Sequence, residues 1–170
     1  MKIDGRDIAG KLYGNLKERV KKLKKEHITP HLVVILVGEH PASIAYVTLK
    51  QKKGEEIGAK VTVLRYLTTI TTEELEEKIR LLNEDPFVHG ILIQRPLPKQ
   101  VDAEKLELAT DPKKDIDGFH PDSPYTLPLP LAVVKILEEV FKRQKKEKQS
   151  EKTKNIEKIW YQNICRWLSI

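Results

Sequence analysis

A chain of 170 residues with 39% hydrophobic content suits one ordinary domain with a real core, which excludes global disorder. Its net charge of +6 is not spread over the body: residues 1–141 hold 22 basic and 22 acidic side chains, and residues 142–170 hold 9 and 3. A nucleic-acid-binding fold would carry its basic stripe on the folded body, so no nucleic-acid partner is expected. The only cysteine, Cys165, excludes an internal disulfide and a cysteine metal cage.

No apolar run approaches the roughly 18–20 residues of a membrane span, and Met1 to Asp7 lack a signal-peptide stretch. A soluble cytoplasmic protein without a membrane partner is the expectation. Ile8, Leu12, Leu16, Val20 and Leu23 recur at helical steps and predict an amphipathic helix through about Glu26. Thr29-Pro30 breaks it. The β-branched run from Leu32 to Val37, ended by Gly38, reads as a strand buried on both faces, as in a parallel sheet.

Pro41 opens a second helix that Gly58 stops near Ile57, and Ala59 to Leu67 form a second strand. Thr71 and Glu74 have capping-box spacing, and Leu75, Ile79 and Leu82 give the third helix its buried face. Asp85-Pro86 ends that helix, and Val88 to Ile93 form a third strand. Asp102 caps a short helix to about Ala109, and Pro130 suits the first turn of a helix ending near Phe141. Strands alternating with helices predict a three-layer α/β domain, with a mostly parallel sheet flanked by helices and right-handed crossovers.

From Lys142 to Lys158 the composition turns to Lys, Glu, Gln and Ser, as in a solvated helix extension or a linker. The last eleven residues, with Trp160, Tyr161 and Trp167, follow no clear pattern. We therefore divide the chain into a domain over residues 1–141 and a charged linker with an aberrant or truncated tail over residues 142–170.

Ligands of open α/β sheets bind beyond the carboxyl ends of the strands, which singles out the loops at Gly38–Tyr46, Gln94–Pro98 and Asp111–His120. Tyr46 and Lys50 lie one turn apart on one helix face, an aromatic ring beside an amine. The amine works near neutral pH only where burial or a neighbouring cation lowers its pKa. Gln94 directly follows a buried strand, and Asp117 stands in a polar loop where its carboxylate could grip a flat amino-substituted ring. By itself Lys50 reads better as a surface lysine near a half-buried tyrosine, while Gln94 and Asp117 read equally well as a loop-capping glutamine and a turn aspartate before glycine. The five histidines show no metal-ligand spacing, and no metal is expected.

Three segments together say more. Pro41-Ala42-Ser43-Ile44-Ala45-Tyr46-Val47-Thr48-Leu49-Lys50-Gln51-Lys52 resembles the P-A-S-x-x-Y-V-x-x-K-x-K signature of the methylenetetrahydrofolate dehydrogenase/cyclohydrolase family. Gly90 to Pro98 resembles that family's G-I-L-V-Q-L-P-L-P segment, and Pro112 to Pro121 resembles P-x-K-D-V-D-G-F-H-P. The resemblance covers about residues 1 to 141. It implies NADP-dependent oxidation of 5,10-methylenetetrahydrofolate and hydrolysis of the methenyl product to 10-formyltetrahydrofolate. Tetrahydrofolate derivatives are the implied substrates and a homodimer the implied assembly.

Carried onto this chain, the resemblance makes Lys50 the proton-relaying lysine, with Gln94 and Asp117 beside it as the catalytic set. Tyr46 would stack on the folate, Gln94 would hold the Lys50 amine, and Asp117 would anchor the pterin. Ser43, Pro96 and Pro98 would shape the cleft. Arg95 departs from the usual leucine, and Leu127-Pro128-Leu129-Pro130 stands where Pro-Cys-Thr-Pro is common.

The family continues into a Rossmann-type NAD(P) domain with a glycine-rich phosphate-binding turn, and the last glycine here is Gly118. The chain is therefore expected to lack that second domain and to bind no NADP alone. Hydrolysis is then the activity it is better suited to retain, the alternative being a folate-binding or dimerising remnant without catalysis.

Overall fold

The computed structural model describes the backbone of residues 3–168 and the side chains of residues 3–149. Helix α1 spans Gly5–Lys25 and opens at Asp4, whose side chain accepts the Arg6 N–H at 2.9 Å. Of its apolar stripe only Val20 is buried, and Leu12 is exposed, because α1 lies outside the central layers against α2 and α5. Strand β1, His31–Val37, is buried from Val33 to Val37, as its unbroken run of branched residues requires.

Helix α2, Pro41–Ile57, starts with proline at N1 and ends at Gly58, whose φ of 89° places it in the left-handed region open to glycine. Strand β2 is Lys60–Tyr66. Helix α3, Thr72–Glu84, carries the expected capping box: Glu74 N–H donates to Thr71 Oγ1 at 3.2 Å and Thr71 N–H to Glu74 Oε2 at 2.9 Å. Strand β3 is shorter than expected, Gly90–Ile93, because Val88 and His89 pair with loop and strand-end groups before the ladder begins. Helix α4, Ala103–Ala109, is capped by the Asp102 carboxylate, which accepts from two backbone N–H groups.

The three strands are parallel in the order β2-β1-β3, so β1 is central. Alternate β1 residues serve opposite faces. Val33, Ile35 and Val37 pack with Leu75 and Ile79 of α3 and Leu106 of α4. Val34 and Leu36 pack with Val47 of α2. This is an α/β domain with a parallel sheet flanked by helices, and both sheet faces are covered. Beyond β3, Asp115 makes an isolated parallel bridge to Ile91, drawing the loop that precedes Asp117 against the sheet edge.

The last helix differs from expectation. Helix α5 begins at Pro128, two residues before Pro130, and continues past Phe141 to Leu168. Both prolines fall in the first turn, where their missing N–H groups cost no helix bond. From Leu131 onward the chain has neither glycine nor proline, so nothing local stops the helix. The boundary drawn after Phe141 thus falls inside a continuous helix, and of the two readings of the charged stretch the backbone follows the helical one. The side chains of Trp160, Tyr161 and Trp167 lie outside those described. Among the described residues, no helix is long and apolar enough to cross a membrane.

Candidate active site

Lys50 reaches the carboxyl end of the sheet because α2 runs back across the face that β1 presents through Val34 and Leu36. Buried Ser43 and Val47 anchor its inner side. Lys50 Nζ donates to Gln94 Oε1 at 3.1 Å, across 44 residues of sequence. Gln94 sits immediately after β3, with its backbone N–H donating to Ile35 O at 2.9 Å, so the sheet holds it in place. Its Nε2 donates to the Arg95 carbonyl at 2.7 Å. An ammonium or amine facing one end of the carboxamide and a carbonyl facing the other leave one sensible orientation, with oxygen toward lysine.

Gln94 gives the amine an acceptor without adding a charge, where a carboxylate would lock the proton on. Burial pushes the Lys50 ammonium below the ordinary lysine value, and Asp117 pulls the other way. Beyond Gln94, no other hydrogen-bond partner of Lys50 is found among the described residues. The amine is half-buried and has donors to spare.

The Lys114-Asp115-Ile116-Asp117 stretch holds two carboxylates with opposite fates. Asp115 is buried and accepts the N–H groups of Gly118 at 3.1 Å and His120 at 2.8 Å, so it builds the loop. Gly118 turns the chain at φ 71°, and a Cβ there would come within 2.6 Å of the Tyr125 carbonyl oxygen. Asp117, by contrast, has no hydrogen-bond partner among the described residues and lines a narrow cleft with Arg95, Leu97, Glu107 and Phe119. Burial raises its pKa, Lys50 lowers it, Asp115 raises it and Arg95 lowers it again. An unspent, half-buried carboxylate facing a cleft is what a ligand's paired N–H donors would fill.

The other expected residues fall around this pair in different ways. Tyr46 lies one turn before Lys50 and is 62% exposed, so its ring is open to stacking from solvent. Ser43 is 3% exposed, and its hydroxyl makes a long 3.5 Å contact to the Arg95 carbonyl, tying the start of α2 to the turn after Gln94. Pro96 is exposed and Pro98 half-buried, while Leu97 between them supplies the cleft wall.

Three features were not legible beforehand. Glu107 of α4 and Phe119 line the same cleft as Asp117, and Arg95 pairs with both. The Arg95 carbonyl is the shared acceptor for Gln94 and Ser43. The departure of Arg95 from leucine was a visible signal, but Glu107 and Phe119 had none because their partner is remote in sequence. Among the described residues no cluster of acidic, histidine or cysteine side chains could hold a metal ion.

Residues 3–117 match the family model described as tetrahydrofolate dehydrogenase/cyclohydrolase, catalytic domain. The bifunctional protein FolD of Streptococcus pneumoniae is 52% identical over 120 residues, which is 70% of this chain and 42% of that protein. The chain thus spans about two fifths of the length of the curated relatives it matches. The crystal structure of FolD, methylenetetrahydrofolate dehydrogenase/cyclohydrolase, from Campylobacter jejuni superposes with a TM-score of 0.78 at 39% identity. That match covers 81% of this chain and 52% of the other. The Trypanosoma brucei enzyme, solved with NADP cofactor and an inhibitor, gives a TM-score of 0.65 at 32% identity over 69% of this chain and 40% of its own. With Lys50, Gln94 and Asp117 all inside the matched span, the chain belongs to the tetrahydrofolate dehydrogenase/cyclohydrolase family, through its catalytic domain.

Proposed function

We propose that this chain binds tetrahydrofolate derivatives and hydrolyses 5,10-methenyltetrahydrofolate to 10-formyltetrahydrofolate, with Lys50 relaying the protons. The observation that carries the reading is the Lys50–Gln94 hydrogen bond beside the unpartnered Asp117 carboxylate. In the methenyl substrate the one-carbon bridge is an amidinium cation. Water adds to that carbon and gives its first proton to the neutral Lys50 amine, which cancels the charge on the bridge. The hydroxyl adduct then collapses to the formyl C=O as the bond to N5 breaks. The hydroxyl proton is given up and N5 is protonated through Lys50, so one proton is released overall.

Each protein group has a part in this scheme. Burial favours the neutral amine that must accept the first proton. Gln94 holds the amine in direction without charging it. Asp117 pairs with the amino and ring N–H groups of the pterin, and Tyr46 covers the flat ring system from the solvent side.

The oxidation in the family's name needs a nicotinamide dinucleotide as hydride acceptor. The start of α2 offers no phosphate cradle for it: the helix opens on Pro41, which has no N–H to donate, behind His40, whose side chain makes no cap. A second copy of the chain is the proposed partner, since Leu129, Val133, Leu137 and Phe141 form an exposed stripe at steps of four on α5. Light scattering that stays monomeric at rising concentration would remove that partner.

The test of the activity is the loss of methenyltetrahydrofolate absorbance with purified chain, above the spontaneous rate. Turnover that vanishes in Lys50→Ala supports the proposal. Turnover equal in both proteins, or no folate binding by the wild type, overturns it.

A further inference from the structure

Arg95 is the residue of the Gln94 turn that departs from the family pattern, and its side chain is doubly held. Its guanidinium forms an ion pair with Glu107 of α4, whose Oε1 is wholly buried and has no hydrogen-bond partner among the described residues. Its planar face lies over the Phe119 ring, 4.5 Å from the centroid. Arg95, Glu107, Phe119 and Asp117 line one cleft, so the clamp bridges three separate chain segments around the carboxylate.

We propose that Arg95 is a positioning residue for Asp117: clamped between Glu107 and Phe119, its side chain fastens the Asp117 loop to the Gln94 turn and sets a positive charge beside the carboxylate. The inference rests on the reading of Asp117 as the group that grips the substrate ring. A leucine here would supply apolar wall and nothing more, whereas a guanidinium supplies a planar stack, an ion pair and a charge. The groups facing Asp117 are Lys50 from α2, Asp115 from its own loop, and Arg95 from the turn after β3. Glu107 of α4 lines the same cleft and is occupied by Arg95. Arg95 acts in the same sense as Lys50, favouring the ionised carboxylate against the cost of burial. The clamp thereby keeps Asp117 an acceptor for two N–H donors at a pH where a buried carboxyl would begin to take a proton.

Carbon-13 NMR of side-chain carboxyls in the full 170-residue chain tests this, with the Asp117 signal assigned by its loss in Asp117→Asn. Arg95→Leu strands the buried Glu107 oxygen and could unfold the chain, so Arg95→Gln, which still offers that oxygen a donor, is measured beside it. In every folded neutral variant the Asp117 midpoint should rise, because a charge that favours the ionised carboxylate is gone. Arg95→Lys should return it toward the wild-type value. A second arm follows 5,10-methenyltetrahydrofolate binding against pH, where the acid limb should move upward by the same interval. A purely structural Arg95 would lower the melting temperature and leave both midpoints unmoved. Folded Arg95→Gln titrating like wild type overturns the inference. If the wild type binds no folate, the proposed function fails, while the carboxyl titration still decides the role of Arg95.

Discussion

The two ends of β1 and β3 both carry groups pushed toward neutrality, yet they are built for opposite purposes. At the amino ends, His31 and His89 are interlocked: His31 N–H donates to His89 Nδ1 at 3.2 Å, and His89 N–H to His31 O at 2.9 Å. The Phe87 carbonyl lies 3.2 Å from His31 Nδ1 and can only accept, so Nδ1 carries the proton and Nε2 accepts from Thr62 Oγ1 at 2.8 Å. At the carboxyl ends, Lys50 has one partner and Asp117 has none among the described residues. Burial disfavours the charged form of all three groups. A perturbed pKa therefore does not distinguish a site from a scaffold. Unspent hydrogen-bonding capacity beside open space does.

The largest expected effect is on Lys50. Lys50→Ala should cost cyclohydrolase turnover on the order of 10²- to 10⁴-fold, the usual worth of a positioned acid–base group, with the melting temperature unchanged or slightly higher. Lys50→Arg should fare little better, because guanidinium keeps its proton. Substantial turnover in either folded variant would dissolve the contrast between the two ends. Next, Asp117→Asn should weaken folate binding by about 10- to 100-fold, the equivalent of roughly 1.5–3 kcal/mol for hydrogen bonds to a charged group. Titration of the purified chain measures it, and wild-type affinity would take Asp117 out of the pocket.

At the opposite end, His31→Ala should lower folding stability by about 1–2 kcal/mol for its lost hydrogen bonds while leaving folate affinity alone. Urea melts alongside binding curves check both halves. The smallest effect is the pH dependence that His31 confers. Burial, Lys60 and His89 lower its folded-state pKa, against the Phe87 carbonyl and Asp85. Its contribution is then fully present above the unfolded value of about 6.5 and fades as pH falls through the lower folded value. Wild-type stability should accordingly decline below about pH 6.5 more steeply than that of His31→Ala. Parallel curves would show that His31 titrates alike in both states.

Some of this architecture was readable because its causes are local. The Thr71–Glu74 capping box, the Asp102 cap and the left-handed Gly58 stop each depend on groups within about four residues of one another. The β-branched run in β1 announced burial on both faces before any neighbour was known. The far end of α5 was left open between helix and linker for a complementary reason. Loss of amphipathic pattern after Phe141 removes the sign of packing, but a helix continues until something breaks it, and no glycine or proline follows Pro130.

The sequence by itself therefore determined the elements, their caps and the motif segments that identify the family, since these are properties of short stretches of chain. Only the tertiary structure decided the order β2-β1-β3, and with it the meeting of Lys50 and Gln94 across 44 residues. It alone separated Asp115 from Asp117, two carboxylates two residues apart, by spending the first on backbone N–H groups and leaving the second open. It also turned Arg95 from an anomalous charge into a clamp, through a glutamate and a ring that no local pattern connects to it. The physical reason is the same in each case: burial and hydrogen-bond satisfaction are settled among groups far apart in the chain, and what they leave unsatisfied becomes visible only when the chain has folded.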